Sequence, residues 1–129
     1  MDWGARAKRS LTAGGLAYER LLRVAERSLP GGGHDVAIFI AATAGHRPFD
    51  FWYLPRVDVE TSDDMLACMD TIRWGTVHLP DLVVDGWARA DVICERWGLL
   101  TPWREIDGHY HSDPAAPGEH CPLCARTPR

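Results

Sequence analysis

Long apolar runs are missing from this chain. The longest, VAIFIAATAG at residues 36–45, is about half the roughly 20 residues that a membrane-spanning helix needs. The N-terminal segment carries Glu19 and Arg20 where a signal peptide would need an uninterrupted apolar stretch. The sequence therefore predicts a cytosolic protein without a membrane-spanning helix.

The chain also lacks an overall surplus of positive charge. Its 14 Lys and Arg against 18 Asp and Glu give a formal net charge of −4 and a pI near 5.8. Because neutralising phosphates requires an excess of Lys and Arg, this balance argues against indiscriminate binding to nucleic acid or to an anionic membrane. Residues 1–30 hold six basic and three acidic side chains, whereas residues 31–103 hold five and eleven. A basic N-terminal element thus precedes an acidic middle.

Recognisable catalytic motifs are absent from the sequence as well. No nucleophile-plus-base arrangement surrounds His34, His46 or His78, and the carboxylates at residues 58–64 are interpreted as a helix cap. The segment PGGGHD at residues 30–35 lacks the Gly-Lys-Ser/Thr ending of a phosphate-binding loop, so it is interpreted as a helix-breaking linker. An enzyme of unrecognised type is kept as the alternative to a binding protein.

Cysteine is scarce, and its four positions fall into two kinds. Cys68 and Cys94 each stand alone within a helical pattern, whereas Cys121 and Cys124 form a C-x-x-C pair. A disulfide framework would need a secreted protein, which the N-terminal segment does not indicate. The sequence predicts two core thiols plus one functional or structural pair.

The first half of the sequence shows clear helical periodicity. In LAYERLLRVAERSL, at residues 16–29, apolar positions recur at helical spacing. The predicted core face of this helix is Tyr18, Leu22, Ala25 and Leu29. The segment from Asp35 to Ala44 is apolar almost all round, so it is either a buried central helix or a strand. Its alanines favour the helix.

Two further helices are predicted in the second half. TSDDMLACMDTIRWG, at residues 61–75, has Ser62 as N-cap, and its predicted core face is Met65, Cys68, Met69 and Ile72. PDLVVDGWARADVICERWG, at residues 80–98, has an Asp85–Arg89 pair and ends at Gly98. The predicted apolar stripe of this fourth helix is Val83, Trp87, Ala90, Cys94 and Trp97.

Together these elements predict a small all-α bundle of about four helices. The chain has 129 residues, of which 46% are hydrophobic, and this suits a single core. We expect a helical domain over residues 1–103 and a His/Cys-rich tail over residues 104–129. No internal repeat is present.

Four aromatic residues crowd into the loop between the second and third predicted helices. Phe49, Phe51, Trp52 and Tyr53 lie within five positions. Their rings either fill the core from a loop or form an exposed patch that anchors a protein partner. Because four neighbouring aromatic rings can rarely all face inward, the second interpretation stays open.

Three arginines lie on one side of the first predicted helix. Arg20, Arg23 and Arg27 alternate with glutamates, a pattern typical of a solvated face. Together with the tail they are also the candidate contacts of a nucleic-acid-binding adaptor, although the overall acidity makes nucleic acid a disfavoured partner.

The tail carries the only concentrated set of metal-binding side chains. Cys121 and Cys124 have the spacing of a two-ligand zinc knuckle. His109 and His111 would complete four ligands, and the loop between them and the cysteines contains proline and glycine. His120 is the substitute ligand. Four protein ligands leave no open position for water, so the predicted zinc is structural.

Three segments also resemble a known kind of domain. AYERLLRVAERSLPGGGHDVAIFIAATAG, FDFWYLPRVDVETSDDMLACMDTIR and LPDLVVDGWARADVICERWGL, between residues 17 and 99, resemble a small domain family of unknown function in bacterial and mobile-element proteins. The resemblance implies a helical fold and supplies no catalytic residues. It also implies a partner in host defence or regulatory machinery.

The sequence as a whole predicts a small cytosolic, zinc-binding helical protein that acts by protein–protein interaction. Aromatic surface candidates and segregated charge favour binding over catalysis. The oligomeric state and the identity of the partner do not follow from the sequence.

Overall fold

The computed structural model describes residues 2–27 and 33–100, together with the backbone of residues 104–106 and 109–111. The elements in chain order are α1 (Trp3–Arg27), α2 (His34–Thr43), the 3-10 helix η1 (Phe51–Arg56), α3 (Val59–Gly75), the 3-10 helix η2 (Leu79–Leu82), α4 (Gly86–Arg96), β1 (Arg104–Ile106) and β2 (His109–His111). The predicted small all-α domain with four main helices is confirmed. The two three-residue strands pair antiparallel, and the sequence pattern did not predict them.

Helix α1 begins at Trp3, well before the periodic segment that predicted it. The Asp2 carboxylate caps its start by accepting a hydrogen bond from the backbone NH of Ala5 at 3.0 Å. Gly14 lies in the middle of α1, where glycine normally weakens a helix. A Cβ atom at this position would lie 1.8 Å from Thr71 Oγ1 of α3. Glycine therefore lets the two helices approach closely.

Helices α1 and α3 pack antiparallel, and theirs is the most extensive contact between described elements. Thr71 is fully buried there, and its hydroxyl lies 2.5 Å from the carbonyl oxygen of Ser10 and 3.0 Å from that of Ala67. The predicted core positions Met65 and Cys68 are confirmed as buried. The prediction for Ile72 is wrong: this side chain is exposed, because the buried stripe continues through its neighbour Thr71.

Helix α3 also begins earlier than predicted. Its N-cap is Asp58, whose carboxylate accepts a hydrogen bond from the backbone NH of Thr61 at 2.9 Å. Hydrogen bonds from Thr61 lower the pKa of the Asp58 carboxyl. Ser62, the predicted cap, lies inside the first turn and donates to the carbonyl of Val59 at 3.0 Å. The predicted N-cap at Ser62 is therefore wrong. Asp58 already caps the helix three residues before Thr61, so Ser62 falls within the helix.

The fourth predicted helix is split into η2 and α4. Asp85 adopts a left-handed backbone conformation with φ of 56°, which ends any continuous helix from Pro80 onward. Gly86 then begins α4 in close contact with η2, since a Cβ atom there would lie 2.0 Å from the carbonyl oxygen of Pro80. The predicted stop is confirmed: Gly98, with φ of 68°, follows α4.

Two predicted contacts of α4 are wrong. Trp87 is 40% exposed rather than part of the core stripe. Arg89 does not pair with Asp85; its guanidinium contacts both oxygens of Glu26 on α1, at 2.7 and 3.0 Å, and also the carboxylate of Glu19. The periodic pattern could not reveal a tertiary partner that is far away in the sequence. The buried side chains of α4 are Ala90, Ile93 and Cys94.

Helix α2 lies at the centre of the fold. Every residue from Val36 to Ala41 is buried, as expected for a helix that is apolar on all sides, so the helical interpretation of this segment is confirmed. Tyr18 of α1 is buried against it, and its hydroxyl lies 2.7 Å from Thr43 Oγ1. Burial raises the pKa of Tyr18 far above its usual range. The core is lined by Ala17, Leu21, Leu22, Ala25, Ile40, Met65, Cys68, Leu79, Ile93, Cys94 and Leu99.

Candidate functional site

The aromatic loop folds into the short helix η1. The carboxylate of Asp50 accepts a hydrogen bond from the backbone NH of Trp52 at 2.9 Å and so caps this helix. The backbone NH of Tyr53 donates to the carbonyl of Asp50 at 3.1 Å. Pro55 fixes the backbone of the last turn. A capped 3-10 helix therefore presents the aromatic side chains.

The four aromatic rings divide into two pairs. Phe49 packs edge-on against Phe39 of α2, with ring centroids 5.1 Å apart and planes at 82°, and Tyr53 lies 5.7 Å from Phe49. Both rings are partly buried against the core. Phe51 and Trp52 face outward and are 73% and 78% exposed. Phe49 and Tyr53 therefore contact the core, as the first interpretation expects. Phe51 and Trp52 are exposed, and their contact with a partner stays a prediction.

A groove of about 580 Å³ lies beside η1. Arg56, the last residue of η1, reaches into it, and its Nε lies 3.3 Å from Asp35 Oδ2 of α2. Two buried polar atoms in the groove wall, Asp35 Oδ1 and Trp97 Nε1, have no hydrogen-bond partner in the part of the chain that the structure describes. The groove has the volume of a small-molecule pocket, with charges of both signs along its wall.

The three arginines of α1 are placed differently from one another. Arg20 binds the Asp64 carboxylate of α3 through Nε and a terminal nitrogen, with the shortest distance 2.8 Å, and this hydrogen bonding raises the pKa of Arg20. Arg23 pairs with Glu19 on its own helix at 3.2 Å. Arg27 makes no ion pair with any described side chain. Two of the three candidate nucleic-acid contacts are thus engaged within the protein.

The two isolated cysteines are core thiols, as predicted. Cys68 and Cys94 are fully buried and form no disulfide. Burial raises the pKa of the Cys68 thiol to about 12 and that of Cys94 to about 11. Because the thiolate is the nucleophilic form, both side chains are inert near neutral pH.

The predicted zinc ligands fall where the structure gives no side chains. His109 and His111 lie on β2, of which only the backbone is described, and Cys121, Cys124 and the substitute His120 lie outside the described residues. Among the side chains that are described, no three His, Cys, Asp or Glu residues are grouped so that they could hold a metal ion. Zinc binding stays a prediction.

The fold defines a small all-α domain, and none of the described helices combines the length and apolar character needed to cross a membrane. The chain belongs to a family of unknown function (DUF7673), whose family model matches residues 15–98. The resemblance drawn from the sequence is thereby confirmed as membership of a family of unknown function. Comparison with curated proteins gave no match, and comparison with solved structures gave none either.

Proposed function

We propose that the protein acts by binding a protein partner, and that Phe51 and Trp52 contact this partner directly. The observation that carries the proposal is the exposure of these two neighbouring rings, 73% and 78%. Each large aromatic side chain left in water forgoes roughly 1.5–3 kcal/mol of burial free energy. Tryptophan is also enriched among the residues that dominate the affinity of protein interfaces.

The surroundings of the aromatic pair support this role. Phe49 and Tyr53 pack against the core beneath it, and the Asp50 cap fixes the start of η1. The ion pair between Arg56 and Asp35 ties the end of η1 to α2. A side chain held on a rigid element loses little conformational entropy on binding, so this arrangement favours affinity. In this proposal Phe49 and Tyr53 position the contact residues.

The setting of the interaction belongs to the same proposal. We place the protein in the cytosol and take its partner to be part of a host defence or regulatory complex, as the resemblance to bacterial and mobile-element proteins implies. An enzyme and a nucleic-acid-binding adaptor built on Arg20, Arg23 and Arg27 are the alternatives. The ion pairs of Arg20 and Arg23 count against the adaptor.

A double variant, Phe51→Ala with Trp52→Ala, tests the contact residues. We expect at least about tenfold weaker capture of the partner, because losing two exposed anchors removes contacts that typically cost 2 kcal/mol or more each. Helicity and melting temperature should stay nearly unchanged, since neither ring is buried. The measurement is affinity purification from the native host with quantitative mass spectrometry, followed by titration of the purified partner.

The matched control is Val84→Ala with Val92→Ala, which truncates two exposed apolar side chains, one between η2 and α4 and one on α4. This variant should bind like the wild type. Equal capture by the wild type and the Phe51/Trp52 variant would overturn the proposal. So would a large fall in the melting temperature of that variant, because it would return both rings to a structural role.

We also propose that His109, His111, Cys121 and Cys124 bind one structural zinc ion. The donor types carry this proposal, since two thiolates and two imidazoles match a tetrahedral zinc site. Elemental analysis of protein purified without added metal should give about one zinc per chain. Cys121→Ser with Cys124→Ser should abolish it, whereas Cys94→Ala should retain it. A metal-free wild-type protein would contradict this prediction.

A further inference from the structure

Two tryptophans and two arginines are stacked at the end of the α1–α3 pair. The rings of Trp3 and Trp74 have centroids 4.8 Å apart and planes at 28°. The guanidinium carbons of Arg6 and Arg73 lie 4.5 and 5.0 Å from the centre of the Trp74 ring. These four side chains, together with the adjacent Arg9, form the tryptophan–arginine surface. It lies about 22 Å along α3 from η1 at 1.5 Å per residue, so it is separate from the proposed partner site.

The stack holds Trp3 in a fixed orientation at the protein surface. Its side chain is 59% exposed although one face packs on Trp74, so the other face is open to solvent. Arg9, less than two helical turns along α1 from Trp3, is exposed and forms no ion pair with any other described residue. A depression of about 290 Å³ beside it is lined by Arg6, Arg9, Ser10, Ala13 and Asp70. An open aromatic face therefore adjoins unpaired positive charge.

The charge balance here is opposite to that of the whole chain. The three arginines at positions 6, 9 and 73 supply three positive charges, against the two acids Asp2 and Asp70, in a protein of net charge −4. Asp2 is engaged in capping α1, and Asp70 pairs with Arg73 at 2.5 Å. Arg9 thus remains to neutralise an anionic ligand.

We infer that this surface binds single-stranded nucleic acid. A base stacks on the open face of Trp3, and a flanking phosphate contacts Arg9. Single-strand binding sites combine these two components, an aromatic platform and a basic track. An acidic peptide would use the charges but would leave the indole face without a planar partner. Binding is weak at physiological salt, because the surface is small and the rest of the protein is acidic.

The test is a titration of a labelled oligo-dT of about 15 nucleotides, followed by fluorescence anisotropy at low salt. Wild-type protein should bind saturably. Trp3→Ala should weaken binding by at least about fivefold, and Trp3→Phe, which keeps a stacking face, should recover part of the loss. Arg9→Glu should weaken binding and reduce the slope of log affinity against log salt by about 0.7, the contribution of one phosphate contact to a single strand.

Arg47→Glu is the matched charge control, because Arg47 lies in the loop after α2 and has no ion pair with a described residue. It should bind within about twofold of the wild type. Circular dichroism checks folding. If Trp3→Ala loses helicity, the Arg9→Glu variant decides the test, because Arg9 is exposed. Absence of saturable binding by the wild type, or unchanged binding by both Trp3→Ala and Arg9→Glu, would overturn the inference. Displacement by polyglutamate at equal charge would also overturn it, by assigning the surface to acidic peptides. None of these outcomes depends on the partner proposed for Phe51 and Trp52.

Discussion

Replacing Gly14 with alanine is expected to destabilise the domain by about 3 kcal/mol, a large fraction of the stability of a protein this size. The added Cβ would lie 1.8 Å from Thr71 Oγ1 and 2.6 Å from Thr71 Cβ, which is inside van der Waals contact. Thr71 cannot move aside freely, since it is fully buried and the single proton of its hydroxyl is shared between two carbonyl oxygens within hydrogen-bond distance. Helices α1 and α3 must separate instead. Thermal unfolding should show a melting temperature lower by about 10 °C.

The neighbouring glycine supplies the control. A Cβ atom at Gly15 would meet only Leu82 atoms at 3.7 Å, an ordinary contact. Gly15→Ala should therefore be neutral or stabilising by up to about 1 kcal/mol, the gain in helix propensity. If both variants shifted the melting temperature equally, the effect would not come from the contact with Thr71.

The sequence predicted those parts of the fold that depend on neighbouring residues. The apolar spacing around Tyr18, Leu22 and Ala25 identified the buried face of α1, and all three are fully buried. The all-round apolar character of residues 36–41 identified the central helix. In both segments the pattern repeats within one or two helical turns, so local spacing alone carries the information.

Other features of the fold depend on residues far apart in sequence. The close approach of α1 to α3 depends on a glycine at position 14 that fits against Thr71, which is 57 positions later. The break before α4 depends on Asp85 in a left-handed conformation and on Gly86 packed against Pro80. Each of these requires the folded neighbour to be known. Helical periodicity alone therefore joined η2 and α4 into one predicted helix, and it placed the start of α1 after its true start at Trp3.

The candidate sites also combine features that depend on neighbouring residues with features that depend on residues far apart in sequence. Four aromatic residues between prolines were identifiable as a cluster, but only the position of Phe39 on α2 decides that Phe49 turns inward. The stack of Trp3 on Trp74 joins residues 71 positions apart, so no local sequence motif predicts it. Sequence reasoning missed it because single tryptophans at two helix ends look like ordinary core or surface residues.

Arg89→Met should lower the free energy of unfolding at pH 7 by about 2 kcal/mol. This cost lies between that of removing an exposed ion pair and that of breaking a buried one. The guanidinium bridges Glu19 and Glu26 of α1 from α4, and its side chain is only 22% exposed. Methionine keeps most of the apolar volume but leaves Glu19 and Glu26, two helical turns apart, without the cation that pairs with both. Urea unfolding measures the difference. Arg23→Met is the control, because Arg23 forms an exposed pair with Glu19 worth a few tenths of a kcal/mol.

The pH dependence separates loss of the ion pair from loss of packing. Hydrogen bonding to Arg89 lowers the pKa of Glu26 below its usual value of 4.5. A carboxyl group whose pKa is lower in the folded state stabilises the protein above its unfolded pKa, and the stabilisation is lost as the pH falls through the folded pKa. Wild-type stability should therefore fall on acidification below about pH 4.5, and the fall should be shallower in Arg89→Met. The two proteins should approach each other in stability at low pH, where Glu26 is protonated in both. A constant difference between them at every pH would show that Arg89 contributes through its aliphatic stem and not through its charge.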